Sequence, residues 1–319
     1  MVRRTLDLHR STAAAGEDQS IRTVLVALGA NIGVAVAKTI ASVLSGSASM
    51  VAEAAHSWAD TGNQALLLVA DRRSRRPADT RHPMGHGREA YVWSLLAAVG
   101  LFVVGASVSV WHGVTGILYG SATRGDYLVA YIVLAISFVM ESTSLLQAVR
   151  QLRTGARRYD RDLLEYALET SDPTVRAVFA EDSGALIGIV IALSGIALHQ
   201  LTGNALWDSV GSILVGVLLG VIAVVLIDRN RRFLTGEPGF PELYDAAVAR
   251  LGALPDVAAV RFVRLEFVGP KQLFLVASVD LVGDQPESHI GHTLRRLERE
   301  LEANPHIADA VLTIAEPDR

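Results

Sequence analysis

Apolar residues run through this chain in six long blocks, not in the alternating or one-faced patterns of a soluble fold. With their flanks the blocks cover about 21–44, 49–70, 89–118, 127–148, 173–201 and 206–227. Each holds roughly 20 residues or more, the length of helix that crosses a hydrocarbon core about 30 Å thick. A backbone in that core must satisfy its own hydrogen bonds, which helices do within one segment. The pattern predicts an all-α bundle of six transmembrane helices.

After Gly236-Glu237-Pro238-Gly239 the pattern changes. Residues 241–254 read as an amphipathic helix, and 260–267 and 272–281 as strands around a Gly269-Pro270 turn. A second helix over 288–303 and a last strand over 308–315 follow. An αββαβ order in about 80 residues predicts a small α+β domain with its helices on one sheet face. The expected division is a tail over 1–20, a membrane domain over 21–235 and a C-terminal domain over 236–319.

Charge orients the bundle. Arg3, Arg4, Arg10 and Arg22 precede or open the first block. Arg72, Arg73, Arg75, Arg76, Arg81 and Arg88 follow the second, and Arg150, Arg153, Arg157, Arg158 and Arg161 follow the fourth. Arg229, Arg231 and Arg232 follow the sixth, whereas the alternate connections carry only Arg124. Basic loops stay on the cytoplasmic side, so both termini are expected there, in a multi-pass protein of the cell (inner) membrane. The N-terminal segment has no apolar core of a cleavable signal and reads as a cytoplasmic tail. The net charge of −4 says little about partners, because the charges are segregated along the chain, and no nucleic-acid partner is expected. There is no cysteine, so any metal must be held by His, Asp, Glu or amide oxygen.

Ionisable groups inside a bilayer cost about 2.5–3.5 kcal/mol each on insertion scales and are functional candidates by default. The second block, SMVAEAAHSWADTGNQALLLVA, places Glu53, His56, Asp60 and Asn63 on one helical face, with Gln64 at its margin. His56 and Asp60, one turn apart, could ligate one cation or simply form a buried pair that fastens helices. The fifth block adds Glu181 and Asp182, which diverge by about 100° on a helix. Lys38 and Glu141 are opposite intramembrane charges, and a structural pairing is expected: Lys38 with Glu141, or Lys38 with Glu53. In the loop RPADTRHPMGHGREA, Asp79, His82 and His86 form a compact candidate for a second metal site. Small pairs such as Gly184 and Gly188, or Gly216 and Gly220, read as bundle packing.

These residues resemble the cation diffusion facilitator family, dimeric exporters of zinc and related divalent metals driven by proton antiport. The resemblance runs from about Ile21 to Pro317 and rests most on SGSASMVAEAAHSWADTGNQ and HPMGHGRE. It implies a transport site of His56, Asp60 and Asp182, with Asn63, Glu181 or water in place of the usual ligand at Val178. It also implies a loop site at Asp79, His82 and His86, and at Arg88 a basic residue that locks the cytoplasmic ends of the spans to the dimer interface. The closing domain resembles that family's metallochaperone-like, ferredoxin-like domain and is expected to form a homodimer. The domain's own metal ligands are not reproduced, although His289 and His292 lie on its second helix.

The expected partners are a divalent cation, protons and the lipid bilayer, with no cofactor. The substrate alternatives to zinc are manganese, iron and cobalt. A membrane-bound metal sensor that binds without transport is the competing function. No His-Glu-x-x-His or Gly-x-Ser-x-Gly motif suggests an enzyme.

Overall fold

The computed structural model describes residues 28–120 and 127–315. The expected N-terminal tail, the start of the first block and Arg124 lie outside the described residues. Helix α1 covers Leu28–Ser45. It is followed by α2 (Ala48–Ser74), α3 (Glu89–Tyr119) and α4 (Tyr127–Arg158). A short α5 (Leu163–Glu169) leads to α6 (Pro173–Thr202) and α7 (Leu206–Thr235). The C-terminal elements are α8 (Pro241–Gly252), β1 (Val257–Gly269), β2 (Gln272–Leu281), α9 (Glu287–Glu302) and β3 (Ile307–Ile314).

Five of these helices, α1, α3, α4, α6 and α7, are long and apolar enough to cross a membrane. α2 is 27 residues long but does not join them. Its polar face of Glu53, His56, Asp60, Asn63 and Gln64 lowers the hydropathy that marks the others. The protein is thus a mostly helical membrane protein with a small C-terminal sheet domain. α4 and α7 run on past the apolar blocks to Arg158 and Thr235, because helix propensity persists where hydropathy stops. α5, in the connection after α4, was not foreseen from the pattern; seven residues are too few to show a period. α3 carries a π-helical stretch over Leu101–Ala106, which no periodicity signals.

The chain divides into two compact units. One comprises the residues up to Ala65 with Val99–Leu145 and Glu181–Ala223. Its interior holds two apolar clusters. Met50, Leu134, Ile189 and Ile196 anchor one, and Leu101, Val215 and Leu219 the other. Small residues set its spacing: a Cβ on Gly216 would lie 2.9 Å from the Ala106 carbonyl oxygen, so helix contact there is backbone to backbone.

The second unit comprises Leu66–Ala98, Leu146–Ala180 and the chain from Val224 on. β1 and β2 form an antiparallel hairpin, and β2 pairs with β3 in parallel, giving the order β1-β2-β3. The hairpin closes at Gly269-Pro270-Lys271, where Lys271 takes φ +59°. Every second residue of β2 is buried, from Leu273 through Leu275, Ala277 and Val279 to Leu281. That two-residue period directs one face onto α8 and α9, with Leu251, Leu297 and Leu301 filling the core. Each such leucine contributes about 1.5–3 kcal/mol by leaving water.

Candidate metal centre

Ser47 precedes α2, and its hydroxyl accepts from the Met50 N–H at 3.1 Å, a helix-capping bond. Alanines at 48, 52, 54, 55 and 59 favour the helix and let its neighbours approach. From that start, Glu53, His56, Asp60 and Asn63 recur along one face.

Lys38 of α1 donates to Glu53 Oε2 at 2.8 Å, with neither side chain exposed. Of the two pairings expected for Lys38, this is the one formed. One turn on, His56 Nε2 lies 3.4 Å from Asp60 Oδ2, with His56 only 1% exposed. The approach is close but not in hydrogen-bonding geometry. Both ring nitrogens of His56 and Asp60 Oδ1 are left without a partner. Buried polar atoms are almost always satisfied, and these three, on adjacent turns of one helix, could ligate a cation.

Asn63 donates its amide to Glu181 of α6 and leaves its own Oδ1 unpartnered. Asp182, the next residue, also has a free oxygen, Oδ2. The divergence expected for this pair is realised, with Glu181 engaged by α2's face and Asp182 facing Ser144 and Glu141 of α4. No third His, Asp or Glu among the described residues brings a ligand atom within 4.8 Å of both His56 and Asp60.

The loop cluster is tighter. Asp79, His82 and His86 offer ligand atoms that all lie within 4.8 Å of one another, the one such group among the described residues. Asp79 Oδ1 is 3.2 Å from His82 Nδ1, and Oδ2 is 3.1 Å from His86 Nε2. The imidazoles face each other with centroids 4.0 Å apart. Asp79 and His82 also exchange backbone hydrogen bonds at 3.1 and 3.2 Å, which close the turn that aims all three. The Asp79 carboxyl is held far below the usual carboxylate range. The His82 backbone N–H is the largest cause, followed by the His86 imidazole and the Arg81 N–H. On its far side, His86 Nδ1 lies 3.6 Å from Glu89 Oε1, near the carboxylate but without a hydrogen bond.

Next to this cluster, Arg88 forms an ion pair with Glu266 of β1 at 2.6 Å. His289 and His292 are exposed on α9 and join no comparable group. Two buried charges went unnoticed in the sequence. Asp208 opens α7, and Arg176 on α6 donates to the Thr170 carbonyl and to Asn230 Oδ1, each at 2.8 Å. Both are ionisable residues inside apolar blocks, which was the available signal.

Fold and site together define a membrane protein with unpartnered, buried imidazole and carboxylate atoms on a polar helix among apolar ones. Residues 24–234 match the cation efflux transmembrane domain, and the chain belongs to that family, the cation diffusion facilitators. It is 38% identical over 246 residues to the mitochondrial proton-coupled zinc antiporter of Homo sapiens, covering 77% of this chain and 43% of that one. Against metal tolerance protein C4 of Arabidopsis thaliana it is 35% identical over 267 residues, 84% of this chain and 58% of the other. Zinc transporter ZitB of Escherichia coli is 27% identical over 256 residues, 80% of this chain and 76% of its own. The chain spans less than half the length of the zinc antiporters it matches.

Proposed function

We propose that this protein exports a divalent metal cation, zinc foremost, in exchange for protons by alternating access. The observation that carries the proposal is the buried His56–Asp60 pair with three unpartnered ligand atoms. An imidazole beside carboxylates suits zinc better than the hard, oxygen-seeking cations. The chain's similarity to the zinc antiporter of Homo sapiens and to zinc transporter ZitB supports the same reading.

In this proposal α2 is the sixth membrane span, its polar face turned inward where cation ligands are needed. His56 and Asp60 hold the cation, Asp182 joins from α6, and Asn63 or Glu181 completes the shell where Val178 offers no donor. Asp79, His82 and His86 hold a second cation in the loop. Ligands must shed protons to bind metal, so loading releases protons and protonation on the far side favours release. The C-terminal domain, from residue 236, pairs two copies into a homodimer. Both termini face the cytoplasm of a cell with the protein in its inner membrane.

Reconstituted liposomes under an imposed pH gradient test the proposal. Zinc flux should follow the gradient and vanish in Asp60→Ala. Preference for manganese, iron or cobalt would keep transport and change the substrate. Saturable binding with no flux, in folded protein, would make it a sensor.

A further inference from the structure

α1 and α2 are joined by Gly46 and Ser47 alone, with Gly46 at φ +65° so that the chain reverses in a single step. The apex of this hairpin has local bonds, from the Gly46 N–H to the Ser42 carbonyl at 2.9 Å and from the Ser47 N–H to Ser45 Oγ at 3.3 Å, and a distant partner besides. It is held by Asp208, about 160 residues along the chain at the start of α7. The Ser47 hydroxyl donates to Asp208 Oδ1 at 2.7 Å. The Ala48 N–H donates to Oδ2 at 2.6 Å, and the Ser49 N–H to Oδ1 at 3.2 Å. In return, the Asp208 backbone carbonyl accepts from the Ser49 hydroxyl at 2.8 Å.

Ser47, Ser49 and Asp208 are all fully buried, at 0% exposure. The helices close tightly around them. A Cβ on Gly211 of α7 would sit 2.7 Å from Ser49 Oγ, and one on Gly195 of α6 would sit 3.2 Å away. Both carboxylate oxygens are thus spent on the first turn of α2, whose free N–H groups and partial positive charge favour an anion. Water cannot take over these bonds while the apex stays closed, so α2 cannot turn or slide at this end unless they break.

His56 lies eight residues beyond Ala48 on the same rigid helix, about 12 Å along its axis. Past the His56–Asp60 pair, α2 is tied again by the Asn63–Glu181 bond to α6. The His56–Asp60 pair therefore sits between polar fastenings at both ends of this stretch of α2. Asp208 is the polar tie to α7, beside the apolar packing of Ala52 and Ala59 on Val215 and Leu219.

We propose that Asp208 is a positioning residue for transport: it latches the α1–α2 apex shut at one end of the cation path and releases it when the path opens there. The proposal rests on the transport reading above. It assigns Asp208 no contact with the cation; it acts through the placement of α2.

The chain has no cysteine, so one introduced thiol reports cleanly. Ala52, one turn inside the latch and 0% exposed, is the reporter site, and Ala130 on α4, also 0% exposed, is the control. Each is replaced by cysteine, and the rate of reaction with a water-soluble maleimide is measured in purified detergent-solubilised protein. Asp208→Asn should speed labelling of the Ala52→Cys protein about tenfold or more, as expected for the loss of charge-assisted bonds. Labelling of the Ala130→Cys protein should not change, and calorimetric zinc binding should persist. Ser47→Ala, which removes one bond, should give a smaller rise of about twofold.

Unchanged labelling at the Ala52 site in folded Asp208→Asn overturns the proposal. Equal acceleration at both sites also overturns it, because it means general loosening. If Asp208→Asn does not fold, Ser47→Ala and Ser49→Ala decide, and no rise in either overturns it. Labelling requires no metal movement, so failure of the transport reading would appear separately, as absent flux in the parent protein.

Discussion

Lys38 and Glu53 form a fully buried ion pair between α1 and α2, one turn from His56. Removing one partner strands a charge where it cannot be solvated. Lys38→Met is therefore expected to cost about 3–5 kcal/mol, read as a lowered thermal midpoint in detergent. Lys38→Met with Glu53→Leu should recover most of that loss, since a well-packed apolar pair often equals a buried ionic one. A double variant less stable than the single would contradict the argument. Asp79 illustrates the opposite setting. It lies in a solvent-facing loop, and backbone N–H groups depress its folded pKa. A depressed carboxylate steadies the folded loop above the ordinary range near pH ~3.9, and the effect fades as pH falls through the folded value. At neutral and mildly acidic pH, Asp79 therefore stays anionic.

At the scale of elements, the β1–β2 hairpin meets the loop after α2 with no room to spare. A Cβ on Gly87 would lie 2.7 Å from the Val268 carbonyl oxygen and 2.8 Å from Gly269 Cα. Both are backbone atoms, which cannot swing aside as a side-chain end could. Gly87→Ala should push the loop off the hairpin and break the Arg88–Glu266 pair at 2.6 Å. Amide hydrogen exchange across 266–272 would then quicken by about tenfold or more. Unchanged exchange there would show that the contact adds nothing to the order of the hairpin. The same hairpin is fastened a second time, through the Lys271 N–H to Ser171 Oγ at 3.1 Å and Lys271 Nζ to Asp172 at 3.3 Å. Arg161 adds a further tie, joining Glu169 of α5 to Glu242 of α8 over the ring of Phe240.

For the whole molecule, the two candidate cation sites lie in different compact units, one around His56 and Asp60 and one around Asp79, His82 and His86. They should load independently. Calorimetry at neutral pH should find two zinc ions per protomer, and His82→Ala with His86→Ala should leave one, with the flux-supporting site intact. One site in both proteins would remove the loop centre from the proposal, and no zinc binding in the double variant would show that the sites are not independent.

The apolar blocks and the two-residue period of β2 were legible because each obeys a local rule. Length against bilayer thickness gives the helices, and alternation gives the sheet face. The His56–Asp60 pair was legible too, because spacing along one helix is itself geometry. The partner of Lys38 was not, since two carboxylates fitted the sequence and only packing selected Glu53. The divergence of Glu181 from Asp182 was legible from helical spacing, but not the partner each meets, which depends on what faces each side of α6. Asp208 shows the limit most clearly. Its role needs Ser47, Ala48 and Ser49, which lie nowhere near it in the chain. Local periodicity determined which residues are polar, apolar or helical. Tertiary structure alone decided which of the polar ones meet, because that depends on contacts between segments that sequence spacing does not encode.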